Sequence, residues 1–231
     1  MSSSPRGGKT GREAGMVIAT AAALLCGGAF VLFRRRPVSP ALARAFMALS
    51  VTIIALQLGA QLTRLATGLP LEAARSAMAA LAYGWAAGLG ALLADAWRRR
   101  APFAPAAVAG ISILISGKFV SFEIGKALHP VEMEQFFIDS GYPAWLHYAV
   151  MALEIAGSAG LLLHWKLKTG PLAAAGLALI MLGAVATHAR NGDPFAASYD
   201  AVLQLAFLTA LLAMYAANRA AKKPRPNSAV G

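Results

Sequence analysis

Residues 147 to 165 read "HYAVMALEIAGSAGLLLHW". One acid, Glu154, stands in a run that is otherwise apolar or small, with no charged neighbour for many residues on either side. A run near 20 residues long is what a bilayer-crossing helix needs, and a carboxylate inside hydrocarbon is costly unless another group answers it. The stretch therefore raises two questions: whether the whole chain is built for a membrane, and what meets Glu154.

Composition answers the first question. The chain has 231 residues, of which 58% are hydrophobic and 13% charged. Soluble domains carry roughly 25% charged residues, so this chain has too few to cover a water-facing surface. Its net charge of +11 would suggest nucleic acid in a soluble protein. Here, however, the basic residues cluster at the ends of apolar runs, as Arg34-Arg35-Arg36, Arg98-Arg99-Arg100 and Lys222-Lys223 with Arg225. That is the positive-inside pattern of a membrane protein, and no nucleic-acid partner is needed to explain it. The single cysteine, Cys26, excludes an intramolecular disulfide and a dithiol redox centre.

Seven apolar spans follow along the chain, at roughly 16–33, 42–62, 76–96, 103–127, 144–164, 171–189 and 199–218. The fold class expected is all-α, a polytopic bundle of about seven transmembrane helices. Residues 1–15 and 219–231 read as polar tails, the second basic and cytoplasmic, and 129–143 as a short amphipathic helix on the outer surface. The boundary at "RRRAP", residues 98 to 102, divides three spans (16–100) from four (101–218). Thirteen of the 21 Lys and Arg fall on one side with Asp95 as the only acid, so that side is cytoplasmic. The N-terminus is then outside and the C-terminus inside. The first run is read as an anchor and not a cleaved signal peptide, because its main positive cluster follows it. The Ala- and Arg-rich composition suggests a bacterial inner membrane.

Depth supplies a partner for Glu154. At ~1.5 Å per residue, Glu154 lies roughly 15 Å below the outer end of its span, and Lys118 roughly 12 Å below the outer end of the preceding one. Shared depth and opposite sign predict a Lys118–Glu154 pair. His147, His188, Arg190 and Asp200 fall near the outer ends of their spans, so these six residues are expected to line one pocket opening outward. A structural role for the pair, and a headgroup-facing role for the histidines, remain the competing readings. Gln57, Gln61 and Arg64 form a polar stripe suited to hydrogen bonding between helices. No metal site is read, and two histidines outside any motif do not make a haem site.

Three stretches then carry a likeness. "SGKFVSFEIGKALHP", "FFIDSGYPAWLHYAVMALEIAGSAGLLL" and "AAAGLALIMLGAVATHARNGDPFAAS" resemble the DoxX-like family, a four-helix membrane module. Its marks fall at Gly117-Lys118, Gly141-Tyr142-Pro143, Glu154 and Gly183 to His188, over about residues 103–218. The sequence departs from the family at Ala156, where glycine is common, and spans one to three have no counterpart in it. The resemblance implies a small membrane subunit associated with redox enzymes, with a quinone or small anion near Lys118, Glu154 and His188. It also implies a membrane or periplasmic redox protein as partner besides the lipid bilayer. No catalysis by this chain alone is expected, since no haem, flavin or metal motif is present. A non-enzymatic scaffold or assembly factor is the alternative, and a small-solute transporter a weaker one, because no inverted repeat is visible.

Overall fold

The computed structural model describes residues 7–34, 38–68, 72–99, 101 and 105–221. Every element among them is helical: α1 (Gly7–Arg34), α2 (Pro40–Thr67), α3 (Glu72–Arg99), α4 (Pro105–Leu128), α5 (Pro130–Asp139), α6 (Leu146–Leu162), α7 (His164–Leu167), α8 (Gly170–Asn191) and α9 (Phe195–Ala221). Helix α1 starts inside the tail expected to be unstructured. The stretch from Gly7 to Arg34 holds no proline to stop it. Residues 1–6, 35, 36, 100 and the end of the C-terminal tail, 222–231, lie outside the described residues.

Seven helices match the seven expected spans in position, but apolarity separates them. Four are long and apolar enough to cross a bilayer: α2, α4, α8 and α9. The apolar part of α1 is the shorter Ala19–Phe33, α6 is a 17-residue helix, and α3 is rich in alanine and glycine, which add little hydropathy.

The chain forms two compact units, Met1–Ala107 and Val108–Gly231. The boundary falls in the first turn of α4, seven residues beyond the expected one at 100/101. In the first unit, α1 and α3 come so close that a Cβ at Gly27 would overlap the backbone of Ala87, and one at Gly90 that of Leu24. Only glycine permits such an approach, which gains dispersion contacts where no hydrophobic force acts between helices. Helix α2 joins α3 through Phe46, whose ring stacks on Trp85 at 5.3 Å, while Trp85 Nε1 donates to Ser50 Oγ at 2.8 Å. A cavity of about 240 Å³ lies in this unit beside Pro40, Leu92, Asp95 and Arg99.

In the second unit, α6 packs on α8 by the same small-residue device. Gly157 faces Leu177 and Gly160 faces Ala173. Exposed tryptophans stand at both ends of this hairpin, Trp145 before α6 and Trp165 in α7. Their 20-residue separation corresponds to about 30 Å of helix, the thickness of a hydrocarbon core with an aromatic belt on each side. Glu154 falls nearly midway between them.

Candidate functional site

Two polar stripes face each other across α4 and α6. On α4, Ser112, Ser116, Phe119 and Glu123 are buried and recur at steps of four and three residues, and Lys126 continues the row. On α6 the buried residues are His147, Glu154, Ser158 and Leu161. Such spacing keeps a stripe on one side of a helix. Ser116 Oγ donates to the Ser158 carbonyl at 3.1 Å, fixing one rung of an antiparallel pair.

The charge that answers Glu154 is Lys126. Its Nζ lies 2.6 Å from Glu154 Oε2 and 2.7 Å from Glu123 Oε1, so one ammonium bridges two carboxylates. Both acids are almost wholly buried, with side chains 5% and 2% exposed for Glu123 and Glu154. From the Ser116–Ser158 rung, Glu154 stands level with residue 120 of α4, and Lys126 lies roughly 9 Å further toward the C-terminal end of α4. Side chains on a helix lean toward its N-terminus. In this antiparallel pair Lys126 and Glu154 therefore lean toward each other, and the long lysine stem covers the remaining distance. Glu123 Oε2 is buried and has no hydrogen-bond partner.

This corrects the expected Lys118–Glu154 pair. The depth estimate holds, because Lys118 is within two residues of the level of Glu154, but the azimuth does not. At 100° per residue Lys118 sits roughly 120° round α4 from the stripe. It meets Asp200 of α9 at 3.4 Å, with its Nζ 4.6 Å from the centre of the Phe122 ring. This second pair is far more open, with side chains 32% and 52% exposed.

The other expected ligands are each held in separate contacts. His147 is buried, with Nδ1 2.8 Å from the Ala144 carbonyl and Nε2 without a partner. His188 Nδ1 pairs with Asp193 Oδ2 at 2.7 Å, closing the C-terminus of α8. Arg190 donates to the Ser140 carbonyl and lies 4.9 Å over the Tyr142 ring, while Asn191 Nδ2 donates to Ser140 Oγ at 2.8 Å. Tyr142 and Thr187 hydroxyls meet at 3.0 Å. The last turn of α8 thus clamps the turn between α5 and α6. The Thr187 hydroxyl, helped by the Arg190 charge, holds the Tyr142 phenol below its ordinary titration range. Arg190 serves that clamp, and His188 closes the turn that follows α8. Gln57 and Gln61 are half-buried and Arg64 is exposed on α2.

Glu123 and Lys126 were missed because they lie near the C-terminal end of α4 and read as surface charges. The signal that finds them is the row 112, 116, 119, 123, 126, whose step matches a packed helix face. Among the described residues no group of three or more His, Cys, Asp or Glu is placed to hold a metal ion.

Apolar helices long enough to cross a bilayer, with buried charges confined to helix–helix seams, define an integral membrane protein. Residues 111–214, from within α4 to within α9, match the model of the DoxX-like family, while α1 to α3 lie outside the match. No curated protein and no solved structure matches the chain.

Proposed function

We propose that the chain is a seven-span subunit of a membrane redox assembly, whose DoxX-like module presents a quinone or small-anion site at Lys118. The observation that carries this reading is the half-open Lys118–Asp200 pair beside Phe122. An ammonium set over an aromatic face can hydrogen-bond a quinone carbonyl or an anion while the ring packs the rest of the head group. Reduction of a quinone to a quinol takes up two electrons and two protons. The sequence carries no motif for an electron-carrying group, so a redox partner protein supplies the electrons. The N-terminus is outside, the C-terminus faces the cytoplasm, and the membrane is a bacterial inner membrane.

Full-length protein purified from its native membrane should carry extractable quinone, and Lys118→Met should lose it while folding normally. Reporter fusions after Arg100 and after Arg219 should both report cytoplasm. Quinone retained at wild-type level in Lys118→Met, or absent from wild type, removes the ligand assignment.

A scaffold role is the second reading, favoured by the clamp at Ser140, Tyr142, Thr187 and Arg190, which engages Arg190, a residue expected to bind ligand. It predicts no co-purifying quinone and loss of a partner protein from membranes lacking this chain.

A further inference from the structure

Lys126, Glu123 and Glu154 put two carboxylates against one ammonium in the interior of the module. With all three ionised the cluster carries one uncompensated negative charge. An uncompensated charge in such surroundings is expensive, and the usual remedy is to bind a proton or a cation. The open valence is visible: Glu123 Oε2 is buried without a partner, while Glu123 Oε1 is on the lysine. A carboxylate shows a bare oxygen in hydrocarbon only at high cost, and a carboxylic acid there adds a donor beside its neighbour.

We infer that Glu123 and Glu154 form an exchangeable proton-binding site that holds one proton between them, with Lys126 as its fixed counter-ion. A hydronium ion of the bulk supplies the proton: its O–H bond breaks to leave water as the O–H bond of the carboxyl forms, taking the cluster from a net charge of minus one to zero. No electron moves.

The surrounding titratable groups leave this role to the pair. On α6, His147 lies two turns from Glu154 on the same face, about level with Lys126, with its Nε2 buried and unpartnered. On α8, His188 is closed onto Asp193, and on α9, Asp200 is closed onto Lys118. Glu123 lies on α4 and Asp200 reaches α4 through Lys118, but Asp200 has a lysine to itself while Glu123 shares one. The inference stands apart from the quinone reading, since neither Lys118 nor Asp200 belongs to the cluster.

Infrared difference spectroscopy of the full-length protein in lipid vesicles tests it. At neutral pH the wild type should show the carbonyl stretch of about one buried carboxylic acid per chain, shifted in heavy water and lost reversibly on alkalinisation. The band should vanish in Glu123→Gln and in Glu154→Gln, and persist in Lys118→Met and Asp200→Asn. The wild-type measurement decides the matter even if a variant fails to fold: no protonated carboxyl at any pH where the helices remain intact overturns the inference. So does a band that survives both glutamine substitutions, and so does one that sodium ions abolish at fixed pH, which would assign the site to a metal cation instead.

Discussion

Lys126 Nζ lies 2.6 Å from Glu154 Oε2, although the two residues enter the bundle from helices running in opposite directions and at different heights. Replacing Lys126 by methionine leaves two carboxylates without their cation, and should cost on the order of 3–5 kcal/mol or force a second proton onto the pair. Lys126→Met combined with Glu154→Gln should recover much of that loss. Lys118→Met should cost far less, because its half-exposed partner Asp200 keeps contact with solvent or headgroups. Unfolding of the purified variants in mild detergent orders them, and equal losses for Lys118 and Lys126 would contradict the geometry.

The α6–α8 seam has no slack at Gly157. An added Cβ would stand 2.6 Å from Leu177 Cγ, and Leu177 is fully buried. Gly157→Ala should therefore destabilise the module by about 1–3 kcal/mol. Gly176→Ala on the exposed face of α8, where nothing lies within 4 Å of the new atom, should leave stability unchanged or slightly raised. The same detergent unfolding comparison reads both.

Tyr142 should ionise at lower pH than an unperturbed tyrosine, because Thr187 and then Arg190 favour its phenolate. Ultraviolet titration of the wild type against Tyr142→Phe isolates its signal. Thr187→Val should move the transition up the most and Arg190→Gln by less. The sign follows from an acid whose folded form ionises early: the stabilising contribution is present at alkaline pH and lost as pH falls through the depressed value.

At the α7 end of the hairpin, His164 Nδ1 accepts the Gly170 N–H at 3.0 Å and so covers an otherwise open donor at the start of α8. His164→Leu removes that acceptor and should destabilise the protein by about 1 kcal/mol in the same detergent unfolding comparison.

Helix positions were legible because apolar length and positive clusters are properties of the chain itself, and the marks at Gly117, Tyr142, Glu154 and His188 fall within the stretch that matches the DoxX-like family model. Depth was also legible, since it needs only the rise per residue: Lys118 and Glu154 do share a level. Rotation was not, because two residues at one height meet only if their helices turn the right faces together. The Ser112–Lys126 row on α4 holds that information, but only once α6 is known to lie against it. The Arg190–Ser140 clamp was hidden for a different reason: its acceptor is a backbone carbonyl in a turn, which no side-chain pattern announces.

Helix α6 contains 17 residues, yet the exposed Trp145 and Trp165 that flank it stand 20 residues apart, about 30 Å along a helix. Indole rings favour the boundary between headgroups and hydrocarbon, so a ring at each end pins the hairpin against sliding along the membrane normal. The same two rings therefore fix the depth of Glu154, and replacing either one would let the charged seam shift toward a headgroup layer.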